Sequence, residues 1–302
     1  SSVTVVLDNH LDISFYVTTS ELSLDIVDFS EQCIMPAMRA HAQKIDSLLA
    51  ALAGDLAGHY PVSATPAVSD IAGLEAVLDV NKAPLTDRRL VLHPITKSAY
   101  MSLDSFLHAS KRGDGGAAMR KAELGQVLGF DTYMDQNIPT HTSGAMADLV
   151  GAIKGAGVAA ATIATVDAIT SGGTVLAGDL FKVTGYDEWF RIALNATASV
   201  ATLTISFSPA FKGAIADDAV VTFQATGKTN MAFHKNAFAL VMAPLAPPIG
   251  GAAAAVLNYK GLSARVVYDY AIMEKKNIIS IDLLCGVKTL DKDLGARLED
   301  TR

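Results

Sequence analysis

Hydrophobic and polar positions alternate along the first residues of the chain. Val3, Val5 and Leu7 share one face, Asp8-Asn9-His10 supplies turn residues, and Leu11, Ile13, Phe15 and Val17 resume the alternation. A period of two with a turn between predicts a β-hairpin. The period then changes. Ile34, Met38, Ile45, Leu48, Leu49 and Leu52 recur at three- and four-residue spacing, the apolar stripe of a helix that Ser30 can cap and Gly54 can stop. Pro36 falls near its start, where a proline is tolerated. At 1.5 Å per residue, a helix from Ser30 to Ala53 is roughly 35 Å long, which suits a spine.

From Pro61 to Lys154 helical and strand patterns alternate. Ile71, Leu74, Val77 and Leu78 mark a helix, and Leu90-Val91-Leu92 a short buried strand. Pro94 opens a second helix carrying Tyr100, Leu103, Phe106 and Leu107 and ending in Lys111-Arg112-Gly113. Arg112-Gly113-Asp114-Gly115-Gly116 reads as a loop by composition. Val127 to Tyr133 reads as one strand, and Met146 to Lys154 as helical. Residues 156–226 then become rich in Ala, Thr, Val and Gly. Six short strands are expected there: Thr162–Ile169, Thr174–Leu176, Phe181–Thr184, Trp189–Leu194, Ala201–Phe207 and Ala219–Phe223. Their spacing predicts a small β-sandwich or barrel inserted into an α+β domain. A helix-containing pattern is expected to return near Asn230. The strongest later strands are Ala264–Tyr270 and Ile278–Leu284, and Lys292 to Arg302 reads as a charged tail.

Composition narrows the function. The 302 residues suffice for two domains or one elaborated domain. Half are hydrophobic and only 18% charged, which excludes wholesale disorder. A net charge of −7 argues against a protein that grips nucleic acid through a basic face, but not against one that encloses it. Cys33 and Cys285 form no C-x-x-C unit, so neither a disulfide scaffold nor a cysteine zinc module is expected, and the setting reads as a reducing cytoplasm. No signal peptide is legible. The uncharged run Asn236–Tyr259 is long enough to span a membrane, but Pro244, Pro247, Pro248, Gly250 and Gly251 interrupt it. It reads as a strand followed by a loop. The first strand is already running at Ser1, so a leading segment is expected to precede it.

Local motifs for chemistry fall short. Gly227-Lys228-Thr229 ends like a phosphate loop, but the required first glycine is Thr222. Gly155-x-Gly157-x-x-Ala160 precedes strands where a dinucleotide fingerprint opens a helix. Gly261-Leu262-Ser263-Ala264-Arg265 ends in Arg where a nucleophile elbow has Gly. The seven histidines show no H-x-x-x-H pair, Asp217-Asp218 is far from a calcium loop, and Asn195-Ala196-Thr197 is a sequon without a secretion signal. No catalytic residue, metal ligand or cofactor is assigned.

Three segments carry a resemblance. The first is Ala122 to Pro139, with Gly125, Gly129-Phe130 and Asn137-Ile138-Pro139. The second is Asn230-Met231-Ala232-Phe233-His234-Lys235-Asn236-Ala237-Phe238, running on to Pro244-Leu245. The third is Gly261 to Tyr270, continuing through Ile281 to Leu290. Together, in this order and with a β insert between the first two, they resemble tailed-bacteriophage major capsid proteins of the HK97 fold. The branch they resemble is that of the short-tailed Salmonella phage coat protein, which carries an inserted β-domain.

The resemblance implies an α+β fold with a peripheral domain built on a long spine helix, an axial domain, and a small inserted all-β domain. Residues 1–18 would be the end of an extended loop with peripheral strands, and 19–60 the peripheral domain with the spine helix. Residues 61–158 and 229–275 would be axial, 159–228 the insert, and 276–302 the peripheral return and C-terminal tail. It implies self-assembly into hexamers and pentamers of an icosahedral shell around double-stranded DNA, bound without sequence specificity. A scaffolding protein and a portal are expected partners, the surface could take a decoration protein, and no membrane is involved. The location implied is the virion, after assembly in the bacterial host cytoplasm. Rings close through heterologous contacts, so axial loops should face their own copies. Arg112, Gly113, Asp114, Gly115, Gly116, Pro247, Pro248, Gly250 and Gly251 are the candidates for those contacts. The competing readings are an encapsulin-like nanocompartment shell, an enzyme with dispersed catalytic residues, and a β-rich adhesion or tail protein.

Overall fold

The computed structural model describes residues 3–24, 30–56, 58–62, 65–108, 121–146, 150–186, 189–224, 227–248, 253–259 and 262–300. The chain opens with β1 (Asn9–Thr18) and α1 (Thr19–Leu24), then a π turn (Ser30–Ile34), α2 (Met35–Ala51) and a 3-10 turn (Leu52–Asp55). Next come β2 (Gly58–Pro61), α3 (Val68–Val80), β3 (Arg88–Leu92), α4 (Pro94–Met101), α5 (Asp104–Leu107), β4 (Gln126–Val127), β5 (Phe130–Met134) and β6 (Thr140–His141). Eight short strands follow: β7 (Val150–Ile153), β8 (Ile163–Asp167), β9 (Thr174–Val175), β10 (Leu180–Val183), β11 (Trp189–Ile192), β12 (Ala196–Thr197), β13 (Leu203–Ser208) and β14 (Val220–Phe223). The chain ends with β15 (Gly227–His234), β16 (Phe238–Ala243), β17 (Ala253–Tyr259), β18 (Leu262–Ala271), β19 (Lys276–Thr289) and β20 (Gly295–Asp300).

These elements form two compact units. One holds Ser1–Leu52 and Phe238–Leu290, the other Ala53–Ala237 and Asp291–Arg302. The division does not fall at the expected 275. Antiparallel pairing of β17 with β18, and of β16 and β18 with β19, ties residues 238–271 to the long β19.

In the first unit the sheet order is β1-β19-β18-β17, with β16 also on β19. Ile13, Phe15, Ile279, Ile281 and Val266 face α2 and pack with Ile34 and Ala37. Buried His41 adds a hydrogen bond from α2 to this sheet, Nε2 to the Ile281 carbonyl at 2.9 Å. The expected 35 Å helix is not one regular helix. Its α portion is 17 residues, about 25 Å. Pro36 has no N–H for the carbonyl four residues back, which accounts for the wide π turn before it. Met38, expected on the buried stripe, is 42% exposed, and Ala37, His41 and Ala50 are buried instead. The expected opening hairpin is absent too, since Val3–Asp8 carries no strand assignment. Val6 nevertheless passes so close to β19 that a Cβ on Gly286 would lie 2.1 Å from its carbonyl oxygen.

In the second unit a sheet runs β2-β20-β15-β3-β5-β4, with β6 on β15. Ile71, Leu74 and Leu78 of α3, Tyr100 of α4 and Phe106 of α5 cover one face, meeting Leu90, Leu92, Phe130, Ala232, Ala296 and Leu298. Asp70 in the first turn of α3 accepts from the Ala67 amide at 3.0 Å and from the Tyr100 hydroxyl at 3.3 Å. The strand expected over Val127–Tyr133 is two strands, because Leu128 and Gly129 both have positive φ and make a two-residue hairpin turn. The second helix expected after Pro94 breaks after Met101 into α4 and α5, and its expected end at Lys111–Gly113 lies outside the described residues.

Between β6 and β15 the chain builds a closed barrel, β10-β11-β13-β8-β7-β14. Its first strand, β7, lies in the segment the sequence predicts to be helical; Gly151 and Ile153 are buried and the ladder partners come from β8 and β14. Phe181, Phe190, Phe207, Phe211 and Phe223 fill the interior, with centroids as close as 4.4 Å. Two further expectations change. From Gly227 onward the described residues hold strands and one 3-10 turn, and no α-helix. The run Asn236–Tyr259 contains β16 and β17, not one strand and a loop, and no described helix is long and apolar enough to cross a membrane.

Gly286→Ala forces Val6 or β19 to move. The expected result is a stability loss of about 1–3 kcal/mol, read as a lower thermal midpoint; an unchanged midpoint would show that the Val6 approach is not required.

Candidate functional site

The loops expected to line a ring are mostly outside the described residues: Arg112, Gly113, Asp114, Gly115, Gly116, Gly250 and Gly251. Pro247 and Pro248 are described and lie in exposed coil after β16. Among the described residues no group of three or more His, Cys, Asp or Glu could hold a metal ion.

The weak motifs turn out to have structural tasks. Gly155 lies in a positive-φ turn after β7, and its amide donates to Asp217 at 2.6 Å. Lys228 and Thr229 lie within β15 rather than in a loop. Ser263 lies in β18 with its hydroxyl buried. Asn195 accepts from the Ala177 amide at 2.7 Å.

The segments carrying the resemblance also hold the fold. Asn230 is fully buried. Its Oδ1 accepts from the His93 amide at 2.6 Å, and its Nδ2 donates to Thr96 Oγ1 at 3.2 Å and to the Leu298 carbonyl at 3.1 Å. Thr96 Oγ1 in turn donates to Asp300 at 2.6 Å. One side chain thus ties the β3–α4 corner, β15 and β20 together. His234, two turns of the pleat later, accepts from the Asn236 amide at 3.3 Å and closes the exit from β15.

Two charged arrangements stand out. In the first unit, cross-strand neighbours Asp12 and Asp282 face the same way on the side of the sheet opposite Ile13 and Ile281. Two carboxylates directly opposite repel. Arg265, in register with Asp282 on the next strand, donates to both of its oxygens through Nε and Nη2. Ser280 and Ser14 donate to Asp12 at 2.6 and 2.8 Å. The Ser280 hydroxyl is the main cause that holds Asp12 below its usual 3.8, and the Asp282 hydrogen bond raises Arg265.

In the second unit, β20 carries Arg297 and Glu299 on the face opposite the helices. Both are buried, as is His59 of β2 beside them. Arg297 Nε donates to His59 Nδ1 at 2.9 Å, and Thr229 donates to Glu299 at 3.3 Å. Arg297 Nη1 and Glu299 Oε1 are 3.5 Å apart. Arg191 of β11 comes from the barrel side and pairs with Asp55 at 3.6 Å. Burial pushes Arg297 down to about 10, raises Glu299, and takes His59 well below its usual 6.5, with the Arg297 and Arg191 cations adding to the effect on His59. Neither arrangement combines a nucleophile, a base and an open cavity. A groove of about 540 Å³ runs beside Lys97, Glu123, Asp131 and Tyr133 at the β4–β5 edge. Sequence reasoning missed both arrangements, because their members lie far apart in the chain and no local spacing marks them.

Arg265→Leu leaves the Asp282 carboxylate, 5% exposed, opposite Asp12 without its cation. A loss of about 3 kcal/mol is expected, measured by denaturant unfolding, with much of it recovered in the double variant Arg265→Leu, Asp282→Asn. Equal losses in the single and double variants would mean the ion pair is not what stabilises this face.

No protein-family model matches the sequence, and no curated protein is similar to it at the sequence level. Solved structures do match. A chain of Mycobacterium phage Che8 is similar with a TM-score of 0.53 at 13% identity, over 97% of this chain and 71% of that one. The capsid structure of the Cyanophage P-SCSP1u matches with a TM-score of 0.52 at 12% identity, over 99% of this chain and 74% of that one. At such identity the shared property is the fold, and the protein shares it with these phage chains over nearly its whole length.

Proposed function

We propose that this chain is the major capsid protein of a tailed bacteriophage. It has an HK97-type fold and assembles into hexamers and pentamers of an icosahedral shell around double-stranded DNA. The observation that carries this reading is the fold shared with a cyanophage capsid chain across 99% of the residues. The three segments that resemble the family support it, since their described residues form strands and turns of that fold rather than a reactive site.

In this reading the unit of Ser1–Leu52 and Phe238–Leu290 is the peripheral domain, with α2 as its spine, and the other unit is axial. The barrel from Val150 to Phe223 is the inserted domain, leaving the axial sheet after β6 and returning at β15. The loops at 112–116 and 247–251 line contacts between copies. Shell strength then comes from many weak repeated contacts, closed into rings by heterologous interfaces. A chain of net charge −7 encloses DNA without holding it, because few phosphates are neutralised. The protein functions in the virion and assembles in the host cytoplasm with a scaffolding protein and a portal.

Electron microscopy of the purified assembly, without imposed symmetry, tests the reading. Closed icosahedral shells filled with nucleic acid are expected. Closed shells filled with a protein cargo would make the chain an encapsulin-like nanocompartment subunit instead, and a discrete monomer or small oligomer would remove the shell function.

A further inference from the structure

The buried cluster on β20 lies where the seven-stranded sheet meets the barrel, and its chemistry is sensitive to one proton. A guanidinium Nε–H can only donate, so the His59 nitrogen that receives it at 2.9 Å carries no proton. His59 is therefore neutral in the folded chain. Two cations, Arg297 and Arg191, are offset by two carboxylates, Glu299 and Asp55. The balance is incomplete in hydrogen bonds. Arg297 Nη2, Arg191 Nε and Glu299 Oε1 are buried without a hydrogen bond among the described residues, Glu299 Oε1 lying 3.5 Å from Arg297 Nη1. A proton added to the His59 ring would set an imidazolium directly against the Arg297 guanidinium in a buried site.

We propose that this cluster is a proton-operated latch between the barrel and the sheet: protonation of His59 at Nδ1 turns its hydrogen bond from Arg297 into a repulsion and sets a further cation beside Arg191 of β11, which releases β11 from the edge strand β2 while barrel and sheet each stay folded. The groups facing His59 are Arg297 of β20 and Arg191 of β11, with Asp55 and Glu299 next to those cations. The second contact between sheet and barrel is of opposite character. His141 of β6 bonds the Asp179 carboxylate at 2.7 Å, and Asp179 also accepts from the Gly144 and Leu176 amides. That contact does not run through His59, so it holds the barrel at one point while His59 lets go at the other.

The sign follows from linkage. The opened junction exposes His59 to water and lets it take a proton near 6.5, which the closed junction refuses. Closure is therefore fully favoured above that pH and weakens as the pH falls below it. Glu299 acts in the opposite sense. Its raised value means the closed junction keeps a proton that the open one gives up, so it offsets part of the loss nearer its ordinary 4.5. The opening equilibrium should rise as the pH falls through 6.5, its slope approaching about tenfold per pH unit roughly one unit lower, the limit for uptake of one proton.

The chain has one tryptophan, Trp189, in β11 two residues before Arg191. Its emission, followed from pH 8 to pH 5 on the full chain, reports the junction directly. A reversible shift starting below about pH 6.5 is expected in the wild type and in His141→Gln. It should be absent in His59→Gln, which keeps an acceptor for Arg297 but cannot be protonated. Amide exchange at β20 and α3, corrected for intrinsic rate, should stay slow over the same range, because the sheet remains folded as the junction opens. If His59→Gln does not fold, the exchange of the histidine C2 protons in the wild type reads the titration of His59 itself. Persistence of the transition in His59→Gln, its loss in His141→Gln alone, or a wild type with no change down to pH 5 would each overturn the latch. None of these results depends on whether the chain forms a shell.

Discussion

One strand sets the terms for half of this protein. All six residues of β20, Gly-Ala-Arg-Leu-Glu-Asp, are buried, and three of them are charged. A buried charge is tolerated only with a partner and hydrogen bonds. β20 lies between β2 and β15, parallel to the first and antiparallel to the second, so each side chain must be answered by a neighbour on one face or the other. Ala296 and Leu298 face the apolar core under α3 and α4. Arg297 and Glu299 face away from it and are met by each other, by His59 and by Thr229. Asp300 is met by Thr96, which the buried Asn230 holds in place.

The same division of faces organises the other unit. β19 carries Ile279 and Ile281 toward α2, and Ser280 and Asp282 to the opposite side, where Arg265 and Asp12 complete a polar row. In both units one interior strand separates an apolar layer, which supplies most of the stabilisation, from a polar layer whose geometry is specific. Polar layers of this kind have little slack. Removing one partner costs more than the pair contributes, because the other is left desolvated. This is why the substitutions expected to matter most are at single charged residues rather than at the exposed apolar ones.

A shell reading fits this distribution of specificity. The residues that carry the family resemblance are those the fold needs at corners: Gly129 in the β4–β5 turn, Asn230 at the crossing of three strands, His234 at the exit from β15. They mark an architecture rather than a reaction. Function in such a protein lies in loops and edges where copies meet, and those positions are chosen by packing between subunits.

Much of the architecture was legible in sequence order. Period-two runs marked β1, β18 and β19, and three-and-four spacing marked the helical stretch containing α2. Regular short strands marked the barrel. These signals are local, and each depends only on which face of one element is apolar. What the tertiary structure decided was every question of partnership. Lys292–Arg302 reads as a charged tail because charge near a chain end is normally solvated; in the fold, six of those residues are an interior strand, since His59, Thr229 and Thr96 come from far along the chain to meet them. β7 reads as helical because its four residues are too few to show a period, and only the β8 and β14 ladders make it a strand. Burial of charge is a property of neighbours, and neighbours distant in the chain have no spacing by which a sequence can announce them.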